Sequence, residues 1–352
     1  MPDEPAMGEG SDAAPPCAPE RALGEFLFET APGVWRIPLP TGFSSGDVNL
    51  YWLDGPQPVL IDTGVLGDRS FDMLGAALKD GGRRIEDIRT LLLTHSHVDH
   101  AANAWRIRDA SGCKVMIRRR AVRRLSDVEK LVDADAPAFS AFLLRCGFSQ
   151  ETVLQFASHS RVMKKISHSC PGLTGIDDGD VVDGGDGPAV KVHARPGHSS
   201  SDLVYEVEGT GIIFTGDHVL PVISPNPTME APEPGDTAPY RALVSYRESL
   251  VKTAAMECLI ACPGHGLPFS DLAGRCRTLL MLQEKRCQQV LRLVRERGPV
   301  SSRDLSLLLF GPVRAFDVFL TLSEVRGAMD VLEDEGSLIV DRSGPVDLAV
   351  AA

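Results

Sequence analysis

A short segment in the first third of the chain concentrates side chains that bind metal ions. The segment begins at His95 and also contains His97, Asp99 and His100, and it directly follows the apolar run IRTLLLT. Imidazole nitrogens and carboxylate oxygens are the natural ligands of borderline divalent cations such as zinc. A lone histidine is more often a core or surface residue, whereas such a cluster at the mouth of a buried strand predicts a metal or catalytic site.

The spacing within this segment indicates two neighbouring metal ions. Alternation along an extended loop aims His95 and His97 at one point, and Asp99 and His100 leave in another direction where a helix begins. Each ion then needs ligands from other parts of the chain, and glycine permits the tight turns that would place them. Three candidates stand at the ends of predicted strands, each directly after a glycine: His198, Asp217 and His265.

The order of the motifs HxHxDH, PGHS, TGD and PGHG resembles the pattern of the metallo-β-lactamase superfamily across about residues 33–268. The resemblance implies an αββα sandwich with the site at one edge between its two sheets. The implied ligands of the first metal are His95, His97 and His198, those of the second are Asp99, His100 and His265, and Asp217 is the bridging carboxylate. Asp62 resembles the buried aspartate with which the family supports its metal-binding loop.

A pair of metal ions predicts a hydrolase. Two divalent cations about 3.5 to 4 Å apart can hold a hydroxide between them at neutral pH and polarise the carbonyl or phosphoryl oxygen that it attacks. Asp99 is the predicted catalytic residue, which orients the hydroxide and shuttles its proton. Zinc is the expected metal, with iron and manganese as alternatives. The sequence contains neither a GxSxG nucleophile elbow nor a phosphate-binding P-loop.

Other polar residues near the motifs carry less specific predictions. His218 directly follows Asp217, so we assign it either to substrate contact or to packing. Ser199 and Asn103 border the site and are candidates for hydrogen bonds to ligands or substrate. The remaining histidines have no motif around them and are predicted to be structural or surface residues: His159, His168 and His193.

Composition along the chain predicts its domains. The chain has 352 residues, which is more than one compact domain usually needs. Residues 1–25 have the composition of a disordered tail. Residues 26–270 alternate strand-like and helix-like patterns and form the predicted α/β catalytic domain, with a basic helical insert at 118–168. Residues 271–352 show the order helix, helix, helix, hairpin, which is typical of a winged-helix-like domain.

The net charge and the local clusters of charged residues indicate which kinds of partner the protein can bind. The chain has 36 Lys and Arg against 48 Asp and Glu, a net charge of −12, which argues against a surface built to neutralise nucleic-acid phosphates. The predicted recognition helix, residues 321–335, has five acidic residues and one arginine, so we expect this segment to pack or to dimerise. Five arginines within residues 118–124 either hold phosphates of RNA or coenzyme A, meet an acidic acyl carrier protein, or form a solvated helix face.

The substrate class has one main prediction and two alternatives. The C-terminal segment and the run GDHVLPVISPNP resemble the lactamase-beta-2-like branch of the superfamily, which includes varied hydrolases and a subgroup that cleaves single-stranded RNA. We expect hydrolysis of a carboxylic ester or thioester bound to coenzyme A or an acyl carrier protein. The alternatives are a single-strand endoribonuclease and a lactonase, and an aromatic content of 6% offers few surfaces on which bases could stack.

The chain is expected to be a cytoplasmic protein without a membrane anchor. No apolar run reaches the roughly 18 residues of a membrane helix, and the N-terminus is acidic rather than basic and then apolar, as a signal peptide would be. The eight cysteines are scattered, which favours reduced thiols over a disulfide framework.

Overall fold

A computed structural model describes residues 13–17, 19–154, 165–231, 233, 236, 238–313 and 315–352. The predictions for His159 and for the centre of the basic insert lie outside these residues. Two β-sheets face each other and helices cover their outer faces, so the chain forms the αββα sandwich that the resemblance implies.

Within the described residues the first sheet contains eight strands, β1 to β8, each next to its neighbour in the chain. They are Arg21–Ala22, Phe28–Ala31, Val34–Leu39, Val48–Leu53, Val59–Ile61, Thr90–Leu92, Lys114–Arg118 and Thr174–Ile176. Pairing is antiparallel up to β5 and parallel from β5 to β8. All three residues of β5 are buried, as expected for a parallel strand that is covered on both faces.

The second sheet contains, in the part of the chain that the structure describes, five strands, β9 to β13, in the order β13, β12, β11, β10, β9. They are Val181–Val182, Val190–Ala194, Leu203–Val207, Ile212–Gly216 and Ile260–Pro263. Strands β12 and β13 pair parallel, and the other pairs are antiparallel. Both sheets contribute apolar side chains to the layer between them: Tyr51, Ile61 and Leu92 from the first sheet, and Val192, Tyr205 and Phe214 from the second.

Nine α-helices, α1 to α9, lie wholly within the residues that the structure describes. They are Asp68–Asp80, Val98–Ala101, Ala104–Ser111, Val122–Ser126, Val128–Arg145, Ala242–Ala254, Leu272–Arg297, Ser302–Phe310 and Ala315–Asp334. Helices α1 and α3 cover the outer face of the first sheet, and α6, α7 and α9 cover that of the second.

The C-terminal segment packs against α6 and the second sheet through α7 and α9. The segment runs from α7 through β14 (Val300–Ser301), α8 and α9 to β15 (Leu338–Asp341) and β16 (Leu348–Ala351), and its strands form a small sheet in the order β14, β16, β15. The apolar side chains of α9 share one core with α6, α7 and the second sheet. The helix that resembled a recognition helix is therefore a packing helix, which is one of the two roles expected of it.

The end of the predicted N-terminal tail is ordered, in contrast to the expectation from composition. The backbone N–H of Ala14 donates to the carbonyl of Pro221 at 2.9 Å, and β1 pairs with β2. Arg36, only 6% exposed, donates from Nε to both carboxylate oxygens of Glu20 at 3.0 Å. A buried guanidinium needs a charged partner, so Glu20 is held in the fold and the ordered chain begins before residue 26.

Two expectations about compartment can be compared with the structure. Among the described residues, no helix has the length and apolar character needed to cross a bilayer. All eight cysteines are free thiols, and six of them are buried.

Candidate metal centre

The candidate ligands meet at one edge of the sandwich because several strands end there. Asp62 follows β5 and the segment 95–100 follows β6, which pairs parallel with β5. Asp217 follows β12 and His265 follows β13, which form the second parallel pair near the site. His198 lies in the connection between β10 and β11. Since parallel neighbours end at the same edge of a sheet, strands far apart in sequence bring these side chains together.

Three histidine nitrogens form the first group. His97 Nδ1 lies 2.9 Å from His95 Nε2 and 2.9 Å from His198 Nε2, and the three ligand atoms all lie within 4.8 Å of one another. Nitrogens this close repel one another through their lone pairs unless a proton or a cation lies among them. This group contains the residues that the resemblance assigns to the first metal.

A second group forms beside the first and is joined to it by Asp217. His265 Nε2 lies 3.3 Å from Asp99 Oδ2, and His100 Nε2 lies 3.8 Å from the same oxygen. The Asp217 carboxylate lies 3.5 Å from His100 Nε2, 3.5 Å from His265 Nε2 and 3.7 Å from His198 Nε2. Asp217 therefore faces both groups, as the resemblance predicts for a bridging carboxylate.

Hydrogen bonds at the outer ring nitrogens leave the inner nitrogens of four histidines available as ligands. His198 Nδ1 and His265 Nδ1 bond to the backbone carbonyls of Asn226 and Asp47, each at 2.8 Å. A carbonyl oxygen can only accept, so each Nδ1 carries the proton and each Nε2 presents a lone pair. In the same way, His100 Nδ1 donates to Asp62 Oδ2 at 2.8 Å.

His95 is oriented through a hydroxyl. Thr94 Oγ1 has one proton and donates it to Asp62 Oδ2 at 2.8 Å, so the same hydroxyl accepts from His95 Nδ1 at 3.0 Å. Asp62 thus holds two histidines, His100 directly and His95 through Thr94. Such outer partners fix the tautomer and orientation of metal ligands in proteins.

Burial and charge set opposite pKa shifts in the two groups. Burial lowers the pKa of His95, His97 and His198, which keeps these rings neutral and able to bind a cation. Burial also opposes charge on His100, but the facing carboxylates of Asp217, Asp99 and Asp62 outweigh it and raise the pKa of His100 well above its ordinary value. The carboxylates that favour a proton there also favour a metal cation.

The inner atoms of the second group have the environment expected of metal ligands. His100 Nε2, His265 Nε2 and Asp217 Oδ1 are buried, and within the described part of the chain none of them has a hydrogen-bond partner. Burying polar atoms without partners is costly, and a metal ion bound among them would remove that cost. The residues present therefore fit a pair of divalent cations.

Gly264 provides a first test of this geometry. A Cβ atom at this position would lie 2.2 Å from Asp217 Oδ1 and 2.8 Å from His100 Cε1, and neither side chain can withdraw without leaving the cluster. We expect Gly264→Ala to lower the metal content of the purified protein, measured by elemental analysis. Gly55→Ala is the matched control, since a Cβ there has no atom within 4 Å; equal metal content in both variants would contradict the close approach.

Among the described residues, the side chains of Asn103, Ser199 and His218 form no hydrogen bond with a candidate ligand. Asn103 Nδ2 donates to the Val65 carbonyl at 2.6 Å, and Ser199 Oγ donates to Asp202 Oδ1 at 2.6 Å. His218 is buried, with Nε2 2.8 Å from Thr253 Oγ1, which is the packing alternative of its two predicted roles.

The two described histidines without a motif have structural contacts. His168 stacks on Trp105 with ring centroids 4.2 Å apart, and His193 Nε2 lies 2.8 Å from Glu206 Oε2. Both contacts agree with the prediction that these histidines are structural or surface residues.

The arginine cluster at 118–124 is largely neutralised by the chain's own carboxylates. Arg120 forms a two-pronged ion pair with Asp236 at 2.8 and 2.7 Å. Arg123 and Arg124 both bind Glu233 at 2.8 Å. Three more contacts complete the set: Arg124 with Asp135, and Arg118 with Asp177 and with the Ser200 carbonyl. Four of the five arginines therefore have partners within the chain, which reduces the positive charge that this cluster offers to phosphates or to an acidic carrier protein.

Comparison with known families matches a segment that contains all seven candidate ligands. The family model described as "Metallo-beta-lactamase superfamily" matches residues 42–265. A probable metallo-hydrolase of Bacillus subtilis, YqjP, is 29% identical over 313 residues, which cover 88% of this chain and 95% of that protein. An atrochrysone carboxyl ACP thioesterase of Paecilomyces divaricatus is 29% identical over 138 residues, 38% of this chain and 40% of that protein.

Solved structures resemble nearly the whole chain. A metallo-beta-lactamase family protein of Thermus thermophilus superposes with a TM-score of 0.77 at 25% identity, covering 92% of this chain and 99% of that one. A beta-lactamase domain protein of Burkholderia ambifaria also reaches 0.77, at 22% identity and with 93% and 94% coverage. The C-terminal segment is included in these superpositions because they extend well beyond residues 42–265.

Proposed function

The chain belongs to the metallo-beta-lactamase superfamily of metallo-hydrolases, and from this premise we propose that it hydrolyses a carboxylic ester or thioester with two bound divalent cations. The observation that carries the proposal is the pair of ligand groups joined by Asp217, in which His100 Nε2, His265 Nε2 and Asp217 Oδ1 are buried and have no hydrogen-bond partner among the described residues. We infer that zinc is the metal, because three histidine nitrogens in one group are a donor set typical of zinc.

The proposal assigns each ligand to one of two ions. His95, His97 and His198 would hold the first, Asp99, His100 and His265 would hold the second, and Asp217, whose carboxylate faces both groups, would be available to either ion. When bound, the ions activate water for attack and polarise the carbonyl oxygen of the substrate. Asp62 and Thr94 keep the histidine rings in orientation before and during turnover.

Asp99 is the residue to which we assign proton transfer. Its side chain is 12% exposed, so a part of it is accessible to water. The buried carboxyl is flanked by His100 and His265, and despite the opposing effect of burial these rings lower the pKa of Asp99 to about 2. The carboxylate is thus ionised near neutral pH, so Oδ2, which faces His100 and His265, can serve as the ligand and the other oxygen, Oδ1, can orient the attacking water and take up its proton.

Two observations favour an ester or thioester over RNA. The arginines that would bind phosphates are paired within the chain, and helix α9 is buried against the catalytic domain instead of presenting a face to nucleic acid. Several relatives are named atrochrysone carboxyl ACP thioesterases, although they match only a part of this chain. A thioester on an acyl carrier protein is therefore the first substrate to test, with coenzyme A as the second carrier.

A substrate panel with the metal-loaded protein tests the proposal. We expect thiol release from acyl-pantetheine, acyl carrier protein or coenzyme A thioesters, measured with a chromogenic thiol reagent, or alkyl and aryl ester hydrolysis measured by alcohol release. His95→Ala should abolish this activity, since it removes a ligand of the first ion. Salt-sensitive cleavage of single-stranded RNA that is lost in His95→Ala, without ester or thioester turnover, would instead support the endoribonuclease alternative. Turnover of lactones alone would support the lactonase alternative.

A further inference from the structure

A segment after β12 holds His198 on two sides. We call residues 226–231 the strap. The Asn226 carbonyl accepts from His198 Nδ1 at 2.8 Å. The backbone N–H and the hydroxyl of Thr228 both donate to the His198 carbonyl, at 3.0 and 2.6 Å. The strap thus fixes both the ring and the backbone of this residue, so its position sets the position of His198 Nε2.

The strap is in turn attached to the C-terminal helix α9. Asn226 Nδ2 donates to the Leu320 carbonyl at 2.9 Å, and the Met229 N–H donates to Ser323 Oγ at 3.3 Å. Leu320 and Ser323 lie three residues apart, so they present neighbouring positions on the helix. Within the described residues the buried Asn226 Oδ1 has no hydrogen-bond donor, so the bond to Leu320 is the contact that fixes this amide.

Helix α9 can serve as a fixed support because its other side is part of the core. Leu322, Val325, Ala328 and Met329 are fully buried, and the last three belong to the apolar cluster shared with α6 and α7. Ser323 is also fully buried, and its hydroxyl donates to the Phe319 carbonyl at 2.8 Å, which leaves its oxygen lone pairs for Met229. A displacement of the strap would therefore break contacts to a part of the molecule that does not move with it.

We propose that Asn226 is a positioning residue that couples the C-terminal helix α9 to the metal ligand His198. The Asn226 carbonyl directs the ring of His198, and its side-chain amide anchors that carbonyl to α9. The inference rests on the proposed function, since it assigns a role with respect to the first metal ion. It gives the C-terminal segment a function within the metal centre, in addition to its packing.

The test compares variants of the full-length protein by metal affinity. Asn226→Ala keeps the backbone carbonyl that accepts from His198 and removes only the anchor to Leu320. We expect its Kd for Zn²⁺ at the first site to rise about 10-fold to 100-fold, the range typical for the loss of an outer partner of a metal ligand. The Kd is measured by competition with a chromogenic chelator, and the Co²⁺-substituted protein should show a changed visible spectrum. Ser323→Ala removes the hydrogen bond from the Met229 N–H to helix α9, and its Kd for Zn²⁺ should rise by a smaller factor.

Thr321→Ala is the matched control on the same helix. It removes the bond that Ser306 Oγ donates to Thr321 Oγ1 at 2.9 Å, which does not involve the strap, so its Zn²⁺ affinity and Co²⁺ spectrum should equal those of the parent protein. The inference is overturned if Asn226→Ala, or Ser323→Ala should the first variant fail to fold, binds Zn²⁺ as the control does. If the parent protein itself binds no Zn²⁺ or Co²⁺, the proposed function fails instead.

Discussion

Replacing Asp99 with alanine is expected to lower kcat by at least about 10³-fold, which corresponds to about 4 kcal/mol of transition-state stabilisation. The variant loses the group that orients water and takes its proton, and it also loses a ligand of the second ion. His100 and His265 would then face Asp217 without the Asp99 oxygen, which lies 3.8 and 3.3 Å from their Nε2 atoms. We therefore also expect less than the full complement of metal, measured by elemental analysis alongside steady-state kinetics.

Two further variants make the Asp99 result specific. Asp99→Asn keeps the size of the side chain and removes its charge and basicity, so it should retain more metal than Asp99→Ala and remain impaired in turnover. Asp72→Ala makes the same aspartate-to-alanine change at an exposed position of α1 and should behave as the parent protein in both measurements. Hydrolysis at the parent rate by Asp99→Ala would remove Asp99 from the mechanism.

The sequence predicted the part of the site that depends on local geometry. His95, His97, Asp99 and His100 lie in one short loop, so their proximity follows from chain connectivity, and the motif order supplied the more distant ligands through the family resemblance. The structure brings all of these side chains together with Asp217 at the centre. It also places Asp62 beneath them, where its hydrogen bonds explain why an acidic residue follows β5.

Contacts across long stretches of chain were not predictable in the same way. The sum of charges over residues 118–168 indicated a basic surface, but Glu233 and Asp236 pair with arginines that lie about 110 residues earlier. A net charge summed over residues 118–168 does not include carboxylates that lie outside this range. The prediction that residues 1–25 form a disordered tail was wrong for its described end for the same reason. Glu20 is held in the fold by Arg36, which lies on strand β3.

Some hydrogen-bond partners of the candidate ligands are backbone carbonyls, and residue types cannot reveal such partners. The carbonyls of Asp47 and Asn226 hold His265 and His198, and every residue has a carbonyl. Asn226 could have been distinguished only by its side-chain bond to α9, which depends on how the C-terminal segment packs. The sequence therefore indicated the ligands of the metal centre and not the contacts that orient them.

Replacing Asp62 with alanine is expected to destabilise the metal-free protein by about 3 kcal/mol or more, a large fraction of the total stability of a typical domain. The variant leaves three donors without their acceptor: the Thr94 N–H and the Thr94 hydroxyl, each at 2.8 Å, and His100 Nδ1, also at 2.8 Å. Each buried unpaired group costs about 1 to 3 kcal/mol. Asp62 also has a φ of 63°, a left-handed conformation that aspartate tolerates better than alanine.

The same variant should weaken metal binding, because Asp62 orients His100 directly and His95 through Thr94. We expect the Kd for Zn²⁺ to rise at least about 10-fold, measured by chelator competition at a temperature where urea unfolding shows the variant to be folded. Asp54→Ala is the matched control, since that carboxylate accepts from Trp35 Nε1 and Trp52 Nε1 at 2.7 Å on residues outside the metal centre. The control should lose stability and keep its Zn²⁺ affinity, so a parallel fall of both quantities in the two variants would mean that Asp62 acts on metal binding only through global stability.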